Sequence, residues 1–148
     1  MGKTSGLLVN MIIDAKNLIV GRLATVAAKK ALLGETVDVV NCEECFISGN
    51  KYSVIDEYKV KRNRGSIRRG PFFPRNPDRI VKRIIRGMLP RQTQRGRDAL
   101  ARVKCYLGVP EQFVEKKFET ITEAHIDKLP NLRYVKLKEV SKQLGGRV

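Results

Sequence analysis

The side chains best able to do chemistry in this chain are the arginines of one central segment. Residues 61–104, here called the basic segment, hold twelve arginines and three lysines against two acidic residues, a net charge of +13 out of +15 for the whole chain. Arginine guanidinium groups bind phosphate oxygens in a bidentate way and stack on bases, whereas a lysine ammonium is a point charge. The segment therefore predicts close contact with a polyanion, either nucleic acid or an acidic membrane surface.

The predicted contact residues are the cations of the basic segment and one aromatic pair. Like charges four residues apart destabilise a helix when no acid pairs them, and ordering a loop costs on the order of 1–2 kcal/mol per residue. An anionic partner offsets both costs, which favours a binding surface over a merely solvated one. The predicted contacts with this partner, which are RNA contacts if it is a nucleic acid of that kind, are Lys61, Arg62, Arg64, Arg68, Arg69, Phe72, Phe73, Arg75, Arg79, Lys82, Arg83, Arg86, Arg91, Arg95 and Arg97.

Phe72 and Phe73 are flanked by prolines and arginines. One interpretation is that they stack on unpaired bases or wedge into an RNA bend. The other is that one or both fold back onto the protein core. Sequence alone leaves both open.

Cys42 and Cys45 have the spacing of half a zinc site or of a thioredoxin-type pair. A structural zinc needs two more ligands, and the remaining candidates, Cys105 and His125, do not form a second paired motif. The two glutamates between the cysteines would raise the thiol pKa rather than lower it. We therefore expect all three cysteines to be small buried hydrophobic residues, with no metal and no cofactor.

Motifs for other function classes are missing from the sequence. It lacks GxSxG, HExxH and GxGxxG, has one histidine, and has no run of eighteen apolar residues. We therefore expect no catalysis, no small-molecule substrate and no membrane insertion. Two alternatives to an RNA-binding structural protein stay open: an RNA-modifying or RNA-processing enzyme of α/β fold, and an architectural protein that binds DNA.

The elements that must position the basic segment follow from hydrophobic periodicity. Strands are predicted at 9–14, 36–40, 46–48 and 103–107, and helices from residue 20 to before Gly34, over 51–62, from residue 77 to before Pro90, through 99–103, and over 139–144. Short apolar strands alternating with helices indicate a mostly parallel sheet with helices on both faces. Residues 63–75 contain two glycines, two prolines and four arginines, and this composition predicts a loop.

The helix after that loop has a clear start and two distinct faces. Asn76 is the predicted N-cap, Pro77 the first helical residue, and Asp78 an acid in the first turn. The predicted inner face consists of Ile80, Val81, Ile84, Ile85 and Met88. The outer face consists of Arg79, Lys82, Arg83 and Arg86.

Several short stretches together resemble a known family. They are GRLA at 21–24, VN at 40–41, GMLP at 87–90, GR at 96–97 and KCYLG at 104–108. In this order they resemble the large-subunit ribosomal protein L13 family in its archaeal form, over about residues 11–110. The GMLP stretch followed by the KCYLG strand is the most specific part.

This resemblance implies a three-layer α/β/α fold with a four-stranded, mostly parallel sheet, plus basic loops and a C-terminal tail. It also implies binding to 23S-type ribosomal RNA early in subunit assembly, neighbouring large-subunit ribosomal proteins as partners, and a cytoplasmic location in the ribosome. The implied RNA contacts are the arginines of 61–97. The expected organisation is an N-terminal extension (1–10), an α/β RNA-binding domain (11–110), and a polar tail with a short helix (111–148).

Overall fold

The computed structural model describes residues 10–148, so most of the expected N-terminal extension lies outside the described residues. The chain forms strands and helices in alternation, joined by several short 3-10 turns. In order they are β1 (Asn10–Asp14), α1 (Val20–Leu32), β2 (Thr36–Val40), β3 (Phe46–Ser48), α2 (Lys51–Asn63), α3 (Pro77–Met88), α4 (Gln94–Arg102), β4 (Val103–Cys105), β5 (Tyr134–Lys136) and α5 (Leu137–Leu144).

A parallel sheet of three strands lies at the centre, in the order β1-β2-β4. In this sheet Ile12 lies opposite Asp38, and Val37 lies opposite Val103. The prediction of an α/β fold with a parallel sheet is confirmed. The four-stranded, three-layer arrangement is not confirmed, because β3 pairs antiparallel with β5 in a separate two-stranded sheet. Since β5 has only three residues in a polar stretch, its pairing left no clear hydrophobic pattern in the sequence.

Helix α1 packs closely because its buried face is built largely of alanine. Ala24, Ala27, Ala28 and Ala31 are all buried, at the spacing of one helix face. Small side chains let neighbouring backbones approach, and α1 contacts both α3 and α4. The helix ends just before Gly34, whose φ of 98° lies in the left-handed region, as predicted.

Helix α3 carries the outward-facing cations and is fixed from its inner side. Ile80, Val81 and Ile85 are buried in the main core. The prediction that Met88 belongs to this buried face is wrong, because its side chain is 43% exposed. The backbone turns extended at the next residue, Leu89, and that side chain is buried instead.

The C-terminal part of the chain contributes to the same core as the central sheet. Val135, Leu137, Val140 and Leu144 are buried in one cluster with residues of β1, α1 and α3. Helix α5 packs against α2 and begins two residues before the predicted 139–144. Among residues 10–148, every helix is too short or too polar to cross a bilayer.

Candidate nucleic-acid interface

Five cations of the basic segment lie around one groove on the outer side of α3. Residues 79, 82, 83 and 86 are three and four positions apart, so they project from a single helix face. The groove has a volume of about 550 Å³. It is lined by Phe72, Phe73, Pro74, Arg75, Asn76, Arg79, Lys82, Arg83, Arg86 and Leu100.

The cations of this groove form no ion pairs within the described part of the chain. Within residues 10–148 no arginine forms an ion pair with a carboxylate, and the basic segment's only such pair joins Lys61 to Glu57 at 2.9 Å. Partial burial, together with the charges of Arg86 and Arg91, lowers the pKa of Arg83 below its ordinary value. Both causes disfavour the charged form of the guanidinium. An anion bound in the groove would offset the repulsion from the neighbouring arginines.

A second groove of about 410 Å³ lies beside the first and is bounded by the loop that precedes α3. Arg62 and Arg64 line it, and Phe72, Phe73 and Arg75 line both grooves. Two backbone hydrogen bonds close the loop into a small hairpin: Ser66 donates to Gly70 at 3.1 Å, and Gly70 donates back at 2.8 Å. Its tip carries Arg68 and Arg69, which are exposed and lie outside both grooves.

The two phenylalanines have different environments: Phe73 folds back onto the protein core, and Phe72 is exposed to solvent. Phe73 packs against the main core, with its ring edge-on to Tyr58 at a centroid distance of 5.7 Å. The guanidinium carbon of Arg83 lies 5.7 Å from the Phe73 ring centre, so this ring also positions a groove cation. Phe72 is 68% exposed. Only Phe72 is therefore free to meet a ligand with most of its ring.

The second basic stretch, 91–97, is a compact turn leading into α4. Thr93 caps the helix by accepting a hydrogen bond from the Gly96 N–H at 3.2 Å. The Arg97 guanidinium donates to the Gln92 carbonyl at 3.2 Å, so this arginine also holds the turn. Arg91 and Arg95 are exposed. All three arginines lie outside the two grooves, and only Arg91 is close enough to affect the pKa of Arg83.

Asn76 is the N-cap residue of α3, as predicted, but its side chain makes no capping hydrogen bond in the described part of the chain. The residue borders the larger groove. The sequence does not indicate this, because Asn followed by Pro is a typical helix start whether or not the side-chain amide caps the helix.

The C-terminal helix anchors the loop, a contact that sequence reasoning missed. The Ser141 hydroxyl, which is fully buried, donates a 2.6 Å hydrogen bond to the carbonyl of Arg75. Gly146 lies directly against the same carbonyl. At the other end of the loop the Arg62 guanidinium donates to the Gln143 carbonyl at 3.4 Å. Both ends of the loop are thus attached to the last helical turn of α5 and the residues after it.

The cysteines lie apart from the grooves. Cys42 and Cys45 are buried, as predicted, and the Cys45 thiol donates to the Cys42 carbonyl at 2.9 Å. Burial raises the pKa of Cys45, and the neighbouring glutamates add to the increase as expected. A hydrogen bond with the Cys105 thiol, together with burial, raises the pKa of Cys42. Cys105 itself is only half-buried because β4 is an edge strand, so its predicted burial is wrong.

No metal-binding constellation accompanies these thiols among residues 10–148. Groups of three or more His, Cys, Asp or Glu residues placed to hold an ion are absent from that part of the chain. That the protein is isolated without zinc stays a prediction.

Comparison with known proteins gives a consistent picture over most of the chain. The family model described as "Ribosomal protein L13" matches residues 9–112. The large ribosomal subunit protein uL13 of Methanococcoides burtonii is 46% identical over 136 residues, covering 92% of this chain and 98% of the relative. The protein of the same name from Archaeoglobus fulgidus is 48% identical over 137 residues, covering 92% and 88%. That from Methanopyrus kandleri is 44% identical over 136 residues, covering 90% and 86%.

Proposed function

The chain belongs to the ribosomal protein L13 family, and we propose that it is a structural constituent of the large ribosomal subunit that binds ribosomal RNA through residues 61–104. The family resemblance expected from the short sequence stretches is confirmed, including its archaeal character. As a ribosomal protein the chain is not an enzyme, so the alternative of an RNA-modifying enzyme falls away.

The observation that carries the RNA-binding proposal is the groove whose five cations form no ion pair among residues 10–148. Phosphates placed there relieve the repulsion among these cations and release the counterions condensed on the RNA. Arg79 and Arg86 lie two helical turns apart on α3, so the stripe matches a run of backbone phosphates better than a single ion. The proposed partner is 23S-type ribosomal RNA, contacted chiefly through phosphates and RNA shape.

The proposed RNA-binding domain comprises residues 11–110, and the C-terminal segment supports it. The loop between α2 and α3 contains many arginines but only one pair of backbone hydrogen bonds across it. Bound RNA would order and neutralise this loop in one step. A protein that gains order on its RNA in this way is suited to joining the subunit early and then holding a local RNA fold for neighbouring ribosomal proteins. The proposed location is the ribosome in the cytoplasm.

Replacing four arginines tests the proposal quantitatively. Arg68, Arg69, Arg83 and Arg86 are changed to Ala, and binding to 23S-type ribosomal RNA is measured over a range of salt concentrations. Each lost phosphate contact should reduce the slope of log affinity against log salt by about one unit. We expect weaker binding and a slope that is flatter by several units.

The matched control removes the same charge elsewhere. Lys16, Lys29, Lys117 and Lys128 are exposed and lie outside the basic segment, and changing them to Ala also removes four positive charges. This variant should keep nearly the wild-type slope. Equal slopes for both variants would mean that only net charge matters, and the proposed interface would then be wrong.

A further inference from the structure

We infer that the larger groove binds one unpaired nucleotide of the RNA, with its base stacked on Phe72 and its edge read by Asn76, and that adenosine is preferred. This inference rests on the proposed function and makes it more specific. An interface made only of phosphate contacts would need neither an exposed aromatic ring nor an unused amide in the groove. The structure supplies both within one groove of about 550 Å³.

The exposed ring of Phe72 has one edge packed against the backbone of its own loop. Its ring edge lies against Gly70, where a Cβ on the glycine would be only 3.0 Å from a ring carbon. Gly70 therefore gives the ring a close-fitting support on one side. The residue stays 68% exposed and borders both grooves. A supported ring with an open face is what stacking on an unpaired base requires, and stacking is independent of base identity.

Asn76 supplies a group that can distinguish bases. Because its amide makes no capping hydrogen bond at α3, the carbonyl oxygen and the NH2 group remain available to a ligand, and the residue borders the groove. An amide presents one acceptor and two donors side by side, and this pattern complements the N6 and N7 edge of adenine. The preferred ligand is accordingly an unpaired adenosine rather than an unpaired pyrimidine.

The cations of the groove complete the site. Arg75 adjoins Asn76 in sequence, and Arg79 follows one turn later on the same side of α3. In this site we expect them to bind the phosphates on either side of the extruded nucleotide. The phosphates of a plain RNA duplex can bind these cations equally well, but a duplex leaves Phe72 and Asn76 without partners. The difference in affinity between RNA with an extruded nucleotide and plain duplex RNA therefore measures the contribution of this site.

A set of four small RNA stem-loops tests this inference with the full chain. The stems are identical, and they carry a bulged adenosine, a bulged uridine, a bulged abasic site, or no bulge. Binding is measured by fluorescence anisotropy over a range of salt concentrations, and the four stems are compared at one of these concentrations. We expect the bulged adenosine to bind about tenfold more tightly than either the abasic bulge or the plain stem. The uridine bulge should lie between them.

Two variants assign the effect to the two side chains. Phe72→Leu keeps the apolar bulk but removes the ring, and it should bring the ratio of adenosine bulge to abasic bulge close to one. Asn76→Ser keeps a residue able to cap α3, and it should remove the preference of adenosine over uridine while keeping the advantage over the abasic bulge. Affinity for the plain stem should change less than about twofold in both variants, since their phosphate contacts are intact.

The controls are an exposed aromatic and an exposed asparagine away from the groove. Tyr52 on α2 is 77% exposed, and Tyr52→Leu and Asn131→Ser should leave every ratio at its wild-type value. Equal wild-type affinity for all four stems, with a normal salt slope, overturns this inference and leaves the proposed function standing. Absence of salt-dependent binding to any stem overturns both. An unchanged adenosine preference in Asn76→Ser overturns the assignment of base reading to that residue.

Discussion

Phe72 and Phe73 are adjacent in sequence, yet their environments are opposite. Phe73 touches the core, Tyr58 and the Arg83 guanidinium, whereas Phe72 is mostly in solvent. Phe73→Ala should lower the free energy of unfolding by about 2 kcal/mol, somewhat less than for a fully buried phenylalanine. Phe72→Ala should change it by less than about 0.5 kcal/mol. Urea denaturation of the two variants checks this, and equal losses would show that Phe72 also packs on the fold.

Cys45 should make the protein less stable in alkaline solution. Burial raises the pKa of its thiol in the folded state, while in the unfolded chain the thiol ionises near pH 8.5. The stabilising contribution of a group with a raised folded-state pKa is full below the unfolded pKa and is lost as pH rises above it. Between pH 8 and pH 10 Cys45 should therefore account for a loss of about 2 kcal/mol.

Denaturation at a series of pH values measures this contribution. Cys45→Ala should show a shallower decline in the free energy of unfolding than wild type, whatever its stability at neutral pH. Val37→Ala, which removes buried apolar volume but no ionising group, serves as the comparison and should keep the steep decline. Identical declines in wild type and Cys45→Ala would contradict the burial argument. Metal analysis of the same preparations should find well under one zinc per chain.

At the scale of single residues, sequence identified which side chains are cationic but not what they contact. The period of α3 placed Arg79, Lys82, Arg83 and Arg86 on one face correctly, because helix geometry fixes that relation. It could not decide between two adjacent phenylalanines, whose directions depend on the path of an irregular loop. The helical period also assigned Met88 to the core. Periodicity cannot show that the helix ends at this residue and that the next side chain, Leu89, is buried instead.

Among the elements, α5 is far from the basic segment in sequence but holds the loop of the proposed interface through hydrogen bonds. Its Ser141 hydroxyl is fully buried and satisfies the Arg75 carbonyl at the loop's end. Ser141→Ala should lower the free energy of unfolding by about 1 kcal/mol, because a partly buried acceptor loses its partner. It should also accelerate amide hydrogen exchange at Ser66 and Gly70, while residues 80–88 of α3 stay protected.

The matched control for this variant is Ser53→Ala, at an exposed position of α2. Hydrogen exchange with and without RNA gives the second half of the test. In the free protein most amides of residues 63–75 should exchange rapidly, and bound RNA should slow them. If Ser141→Ala leaves the loop's exchange unchanged, then α5 does not position the loop. If the free loop is already strongly protected, then its order does not depend on RNA.

The elements that sequence predicted well are those with strong local signals. Helix α1 has a regular apolar face and a terminal glycine, and strand β2 is a run of β-branched residues. The pairing of β3 with β5 was missed because it depends on a contact between residues 47 and 135. Local periodicity carries no information about such a distant partner. The same limitation hid the attachment of the basic loop to α5.

At the scale of the whole molecule, the uneven charge distribution predicts oriented binding to RNA, which can be tested by sedimentation. Nearly all of the excess positive charge lies in residues 61–104, and the rest of the chain is close to neutral. Binding should therefore be oriented, with one face held on RNA and the others free for neighbouring proteins. In gradients of native cell extract the chain should migrate with large subunits and stay there at moderate salt. A slow soluble species under those conditions would contradict the proposed function.

The variant lacking Arg68, Arg69, Arg83 and Arg86 should leave the particle at lower salt than the variant lacking four outlying lysines. Both have the same net charge, so a difference between them reflects where the charge is placed. Identical release would indicate that the basic segment is not the main contact in the particle.

The basic segment also occupies the crossover between two paired strands, since β2 at Val37 lies beside β4 at Val103. The central sheet cannot be completed until this crossover has folded back, a contact of high sequence separation that slows folding. The length of the crossover adds little to this barrier, because the entropic cost of closing a loop rises by only about 0.6 kcal/mol per doubling of its length. Repulsion among its cations is an additional barrier, and dissolved ions screen that repulsion. Higher ionic strength should thus have two opposite effects on this protein: it should increase the folding rate of the chain and decrease the affinity of the folded protein for RNA.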